Sequence, residues 1–118
     1  MFFRSRRHAV LSQRLAIHIR EELRKYIQQK EILSPKIPDA LVPNQFRGLD
    51  SNVKWRYIIS EMIYAFDAVA DPFYYEEKFM LDEDSDGIVQ FDQVGIDKHD
   101  KRVEQGLLYF AEYIQELQ

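Results

Sequence analysis

The stretch DSNVKWRYIISEMIYAFDAVAD, residues 50–71, decides the fold. Its apolar residues recur at helical spacing and so predict one broad apolar face, formed by Trp55, Ile58, Ile59, Met62, Phe66 and Val69. Asp50, Ser51 and Asn52 offer a choice of N-caps, and the pattern stops at Asp71-Pro72 because proline cannot continue a helix. We therefore predict the second helix of the chain between these limits.

The opposite face of this helix also carries large side chains. Tyr57 and Tyr64 lie there, with Glu61 nearby. This arrangement predicts a second packing surface, and a homo-oligomer would supply the partner for it.

On the N-terminal side, the residues from about Arg4 to Lys30 are predicted to form the first helix. Its apolar stripe comprises Leu11, Leu15, Ile19, Leu23, Tyr26 and Ile27. An extended, proline-rich connection is expected over residues 34–50, because prolines and a glycine interrupt regular structure there: Pro35, Pro38, Pro43 and Gly48.

On the C-terminal side, a β-hairpin is expected between Phe73 and Asp97, and a last helix is capped near Asp97 or Asp100. That helix carries a seam at steps of four and three, formed by Val103, Leu107, Phe110, Ile114 and Leu117. The fold predicted for residues 1–118 is a single, mainly α domain. It has a three-helix core, a proline-rich connection and a small hairpin before the last helix.

Composition and charge restrict the functions to consider. The chain has no cysteine and no run of about 18 apolar residues, so we expect a cytoplasmic protein without a membrane partner. The net charge is −4, but residues 1–30 carry eight Arg and Lys against two Glu, and residues 67–100 carry eleven Asp and Glu against two Lys. Either the two segments attract each other, or the basic one binds an anion. The acidic total charge opposes nucleic-acid binding.

One edge of the first helix is basic. At about 100° per residue, Arg7, Arg14, His18 and Lys25 fall close together beside the apolar stripe. Such a basic edge can hold phosphates, although a row of cations is also typical of a solvated flank. His8 falls inside the stripe, where a core or interface histidine is expected rather than a ligand.

The segment Asp82–Val89 has the Asp spacing and the sixth-position glycine of an EF-hand calcium loop. Its twelfth position is Gln93, whose neutral amide cannot close the coordination shell, and Gly95 weakens the helix that should follow. We therefore predict no metal site and interpret Asp82–Gly87 as a hairpin turn. A calcium-stabilised module is the alternative.

The last helix has a second line of residues, formed by Arg102, Gly106, Tyr109 and Tyr113. Glycine inside a helix costs about 1 kcal/mol relative to alanine, so Gly106 indicates the close approach of another backbone or of a flat ligand. Both interpretations remain open from the sequence.

No motif for catalysis is present in the sequence. His8, His18 and His99 form no close metal-binding pair, and there is no P-loop, nucleophile elbow or glycine-rich dinucleotide turn. We expect neither enzymatic activity nor a cofactor.

Two segments, WRYIISEMIYAF at residues 55–66 and RVEQGLLYFAEY at residues 102–113, together resemble a family of small bacteriophage proteins. That family shows a Trp followed by a Glu-Met-Ile-aromatic-Ala-Phe helix, a variable hairpin, and an Arg-x-x-x-Gly-Leu-x-x-Phe-x-x-Tyr helix. This chain departs from the pattern at Tyr64, where Trp is common, and at Ala111-Glu112, where Gly-Lys is common. If that lysine contacts a phosphate, another cation must replace it here.

The resemblance points to the anti-CBASS sponge proteins, which bind and sequester a nucleotide signal of host anti-phage immunity in the host cytoplasm without catalysis. Such a signal, a cyclic oligonucleotide or an ADP-ribose type molecule, needs cations for its phosphates and flat faces for its bases. The predicted ligand-binding residues are Arg7, Arg14, His18, Trp55, Arg102, Gly106, Tyr109 and Tyr113. The alternative is a phage protein that inhibits a host protein by direct binding.

Overall fold

The computed structural model describes residues 6–71, 73, 78–83, 87 and 89–117, with the backbone alone for residues 6–10, 82, 83 and 89. The elements in chain order are helix α1 (Arg6–Ile27), helix α2 (Ser51–Ala70), strand β1 (Met80–Glu83), strand β2 (Val89–Phe91) and helix α3 (Gln93–Tyr113). The prediction of a mainly helical chain with three helices and a hairpin before the last one is confirmed.

Helix α2 lies at the centre of the structure, with α1 and α3 packed against it. Trp55, Ile58 and Ile59 of α2 have no exposed surface. Asp50 caps its N-terminus by accepting a hydrogen bond from the Asn52 backbone N–H. Since α2 is buried by both neighbours, most of the apolar surface that stabilises the fold lies on this one helix.

Both outer helices run antiparallel to α2. Arg20 of α1 pairs with Asp67 near the end of α2, whereas the end of α1 is held near its start by a hydrogen bond from Trp55 Nε1 to the Tyr26 hydroxyl. In α3, Arg102 pairs with Glu61 while Tyr113 packs on Trp55. Helices α1 and α3 are therefore parallel to each other.

The second face of α2 is covered by α3 of the same chain. A β-carbon built at Gly106 would collide with the Glu61 carbonyl oxygen and with the side chain of Ala65. Gly106 therefore permits the close crossing of two helix backbones, which is one of the two interpretations that the sequence left open. No second copy is needed to explain this face.

Helix α3 begins at Gln93, and the sequence-based start near Asp97 or Asp100 was wrong. The actual N-cap is Asp92, whose carboxylate accepts a hydrogen bond from the Gly95 backbone N–H at 3.0 Å. A β-carbon at Gly95 would lie 2.5 Å from the same carboxylate, so the glycine makes room for the cap. What looked like a helix-weakening residue belongs to the helix start.

The apolar stripe of α1 is buried only over its C-terminal half. Leu23 is 4% exposed, but Leu11 and Leu15 are 53% and 54% exposed. The apolar stripe predicted from the sequence is therefore exposed at Leu11 and Leu15. Since α1 ends at Ile27, the helix is also shorter than the predicted limits at its C-terminal end.

The connection after α1 is ordered by short 3-10 turns at Asp39–Leu41 and Asn44–Phe46. Ile37 and Val42 anchor it in the core, as an apolar connection requires. The Lys54 ammonium, itself buried, donates to the Ile37 carbonyl oxygen at 3.1 Å.

Strands β1 and β2 pair antiparallel, with Met80 opposite Phe91. Residues 84–86, and with them the predictions of a hairpin turn and of a calcium loop, lie outside the described residues. Within the described part of the chain, no helix has the length and hydropathy needed to cross a membrane.

We expect Gly106→Ala to lower the free energy of unfolding by about 1–3 kcal/mol, because the added methyl group meets the Glu61 backbone. Helix propensity alone predicts the opposite sign, a gain of about 1 kcal/mol. Gln105→Ala, at an exposed position of the same helix, serves as the control and should be nearly neutral. Urea unfolding of both variants decides between packing and propensity.

Candidate functional site

An open groove lies between the C-terminal half of α1 and the end of α3. Its volume is about 410 Å³, and it is lined by His18, Ile19, Glu22, Leu23, Lys25, Tyr26, Gln29, Phe110, Ile114 and Leu117. The α1–α3 groove is therefore apolar inside, with polar side chains from one edge of α1.

Two aromatic rings in the lining are held by the core beneath them. The Tyr26 ring meets Trp55 edge-on, with the ring centroids 6.5 Å apart, and its hydroxyl accepts the Trp55 N–H. Phe110 makes a similar edge contact with Phe66 at 4.8 Å. Because these contacts fix both rings, the groove is preformed.

The basic edge of α1 borders this groove. His18 and Lys25 line it, and Arg14 lies on the same edge one turn before His18. Lys25 approaches Glu22 at 3.4 Å, but Arg14 and His18 have no hydrogen-bond or ion-pair partner among the residues the structure describes. The side chain of Arg7 lies outside the described part.

Three of the predicted aromatic contacts are core residues. Trp55 has no exposed surface, and Tyr113 packs against it with a centroid separation of 5.5 Å. The Tyr109 hydroxyl donates to the Leu41 carbonyl oxygen at 2.5 Å, which ties α3 to the connection. None of these rings presents a free face on which a base could stack.

Arg102 is engaged in an ion pair rather than free for a ligand. Its Nε and Nη2 donate to the two Glu61 carboxylate oxygens at 2.9 and 2.7 Å, and its guanidinium lies 3.7 Å from the centroid of the Tyr64 ring. The hydrogen bonds to Glu61 raise the pKa of Arg102 above its usual value. The Glu61 side chain is only 10% exposed, so its charge depends on this partner.

His99, which was not among the residues predicted for a site, extends this cluster by one turn. Its Nδ1 and the Tyr64 hydroxyl share a hydrogen bond at 2.5 Å, and its ring lies beside Phe79 next to the hairpin. Burial lowers the pKa of His99, which favours the neutral ring. The sequence could have indicated this position, because His99 precedes Arg102 by three residues. It therefore lies on the same side of α3 as Arg102, Gly106 and Tyr109.

The groove carries few titratable groups among the described residues. Within the described ranges, no group of three or more His, Asp or Glu side chains is placed to hold a metal ion. The groove itself brings together one histidine, one carboxylate and one ammonium group, of which the last two pair with each other.

We expect Arg102→Ala to lower the free energy of unfolding by about 1–3 kcal/mol, because it leaves the nearly buried Glu61 carboxylate unpaired. Arg24→Ala is the matched control. Arg24 is about as exposed as Arg102, at 45% against 50%, but its partners are the exposed Glu21 and, at 3.8 Å, Asp67, which keeps Arg20 as a closer partner. Its loss should therefore cost at most about 0.5 kcal/mol. Equal urea midpoints for the two variants would contradict a structural role for Arg102.

The stability of the protein should fall at alkaline pH. Burial raises the pKa of Tyr109 from 10.0 to about 12, so the folded state holds this proton more tightly than the unfolded state. The resulting stabilisation is present below about pH 10 and is lost as the pH rises through about 12. Thermal melts across this range should show a smaller decline for Tyr109→Phe than for the parent.

Searches of the chain against protein families, curated proteins and solved structures gave no match. The α1–α3 groove and the Arg102–Glu61 cluster therefore rest on the contacts described above.

Proposed function

We propose that the protein is a non-enzymatic binding protein that sequesters a nucleotide in the α1–α3 groove. One observation carries this proposal: His18, which has no partner among the described residues, lines an apolar groove that contains two fixed aromatic rings. Arg14, also without a partner among those residues, lies one turn earlier on the same edge of α1. A nucleotide has the matching chemistry, an anion joined to a flat apolar base.

The magnitudes are sufficient for useful affinity. Stacking of a base on an aromatic side chain contributes about 1–3 kcal/mol, and a charge-assisted hydrogen bond to a phosphate about 1.5–3 kcal/mol. In the proposed pose, the base contacts Tyr26 or Phe110, and the phosphate lies towards His18 and Arg14. The cation that replaces the lysine of the resembled family would then come from α1.

Sequestration explains why the groove needs no catalytic group. A sponge acts by stoichiometric binding, so affinity and abundance decide its effect. Following the resemblance, the ligand class we propose is a cyclic oligonucleotide or an ADP-ribose type signal of host anti-phage immunity, bound in the host cytoplasm.

This site differs from the one expected from the sequence. It keeps Arg14 and His18 of the predicted set and adds Tyr26, Lys25 and Phe110. Trp55, Tyr109 and Tyr113 support it from the core, while Arg102 and Gly106 lie on the contact between α2 and α3.

The test is a thermal-shift screen against cyclic di- and trinucleotides and ADP-ribose cyclisation products, followed by calorimetry. A bound ligand must raise the melting temperature of the parent. The double variant Arg14→Ala/His18→Ala should bind about 100- to 10,000-fold more weakly, because two phosphate contacts of about 1.5–3 kcal/mol each are removed.

The control is Arg24→Ala, an exposed arginine of the same helix that does not line the groove. It should bind like the parent. Equal binding by the double variant would refute this groove as the site, and no binding of any nucleotide by the parent would refute the nucleotide class.

The second candidate is direct inhibition of a host protein, and one observation favours it. Ile114, which lines the groove just after the end of α3, is 50% exposed. An apolar groove between two helices also fits an amphipathic helix of a partner. This function becomes the leading one if the nucleotide screen fails.

A further inference from the structure

The α1–α3 groove contains a carboxylate, although the proposed ligand carries phosphate. Glu22 lines the groove one turn after His18 and one turn before Tyr26. Among the described residues, its only polar side-chain partner is the Lys25 ammonium, which donates to Oε1 at 3.4 Å. The Glu22 side chain is 57% exposed, and its Oε2 has no partner in the described part of the chain. The groove therefore offers a hydrogen-bond acceptor that a phosphate cannot use.

The chemistry of a carboxylate restricts what it can bind. An ionised carboxylate has about four lone-pair positions and no proton to donate, so it recognises hydrogen-bond donors. A phosphate beside Glu22 is repelled, and the charge of Lys25 offsets only part of this repulsion. The donor groups of a nucleotide are the hydroxyl groups of its sugar and the amino or imino groups of its base. Glu22 is suited to one of these two kinds of donor.

The order of the groove residues along α1 decides between sugar and base. His18, Glu22 and Tyr26 follow one another at steps of four residues, about 6 Å of helix rise each, and all three line the groove. In a nucleotide the sugar lies between the phosphate and the base, because it is covalently joined to both. With the phosphate at His18 and the base on the Tyr26 ring, the sugar lies beside Glu22.

We propose that Glu22 accepts hydrogen bonds from the ribose hydroxyl groups of the bound nucleotide and so makes the groove selective for ribonucleotides. Acidic side chains bind ribose hydroxyl groups in the same way in dinucleotide-binding folds. This inference rests on the proposed function, because it takes the position of the phosphate from Arg14 and His18. It adds that the sugar of the ligand carries at least one free hydroxyl group.

The alternative role for Glu22 is an ion pair with Lys25 and nothing more. In that case the carboxylate only repels the phosphate of a ligand, and its removal should strengthen the binding of every nucleotide by the same factor. A ribose contact predicts the opposite change for nucleotides that have sugar hydroxyl groups. Comparing two nucleotides that differ only in these hydroxyl groups therefore separates the two roles.

The experiment is calorimetric titration of the full chain with adenosine monophosphate and with its dideoxy analogue. Adenosine monophosphate contains the unit of phosphate, ribose and base, and the analogue lacks only the two sugar hydroxyl groups. The parent should bind adenosine monophosphate about 10-fold more tightly than the analogue, as one charge-assisted hydrogen bond at an exposed carboxylate implies.

Glu22→Ala should abolish this preference. Its affinity for adenosine monophosphate should fall about 10-fold, whereas its affinity for the analogue should stay the same or rise, because the repulsion of the phosphate is also removed. The fold should survive, since Glu22 is exposed and alanine favours a helix. Circular dichroism checks this.

The matched control is Glu21→Ala, which removes the same charge from the neighbouring position. Glu21 is 48% exposed, pairs with Arg20 and Arg24, and does not line the groove. This variant should keep the preference of the parent for adenosine monophosphate.

Equal affinity of the parent for the two nucleotides would overturn the role of Glu22, as would an equal rise of both affinities in Glu22→Ala. If Arg14→Ala/His18→Ala then weakens the binding of both nucleotides, the groove remains the nucleotide site and only the ribose contact is wrong. If the parent binds neither nucleotide, the ribose contact is refuted together with the nucleotide groove on which it rests.

Discussion

The close crossing of α2 and α3 is the constraint on which the rest of the structure depends. At Gly106 the two backbones approach so closely that a β-carbon would meet the Glu61 carbonyl group. This approach brings Arg102 within reach of the Glu61 carboxylate and places Tyr109 against the connection. With α3 held on one side of α2, the other side is left for α1, and the groove forms between the C-terminal half of α1 and the end of α3.

Periodicity predicted the helices because burial of apolar residues determines where they lie. Trp55 and Ile58 face the core as their spacing indicates, and Asp71-Pro72 follows the end of α2. Periodicity could not predict which part of a stripe finds a partner, because this depends on where the neighbouring helix ends. Leu11 and Leu15 obey the same spacing as Leu23 and remain exposed. The start of α3 was missed for a local reason, since Gly95 reads as a helix breaker unless its contact with the Asp92 cap is known.

Some residues of the candidate site could be predicted from the sequence and others could not, and the difference has a physical cause. A sequence shows that an aromatic residue lies next to the apolar face of a helix, but it does not show whether a neighbouring helix buries the aromatic ring. Tyr109 and Tyr113 lie towards α2 and are buried, whereas Phe110, their neighbour on α3, reaches the groove. Arg102 appeared free because its partner, Glu61, is 41 residues away in the sequence. The cationic side chains on α1 are easier to assign to a binding site from the sequence, because they are exposed and therefore accessible to a ligand.

The charge asymmetry of the chain is only partly satisfied within one copy. Arg20 and Arg24 of α1 form ion pairs with Asp67, the first carboxylate of the acidic segment. Intramolecular attraction therefore accounts for the charges in this part of α1. Arg14 and His18 lie earlier in α1, where α2 supplies no carboxylate, and they have no partner among the described residues. A ligand that combines an anion with an apolar group can form charge-assisted hydrogen bonds with these cations and also bury the apolar surface beside them. Water can do only the first of these. The unsatisfied part of the basic helix is therefore where binding is to be sought, and the groove beside it is the proposed nucleotide site.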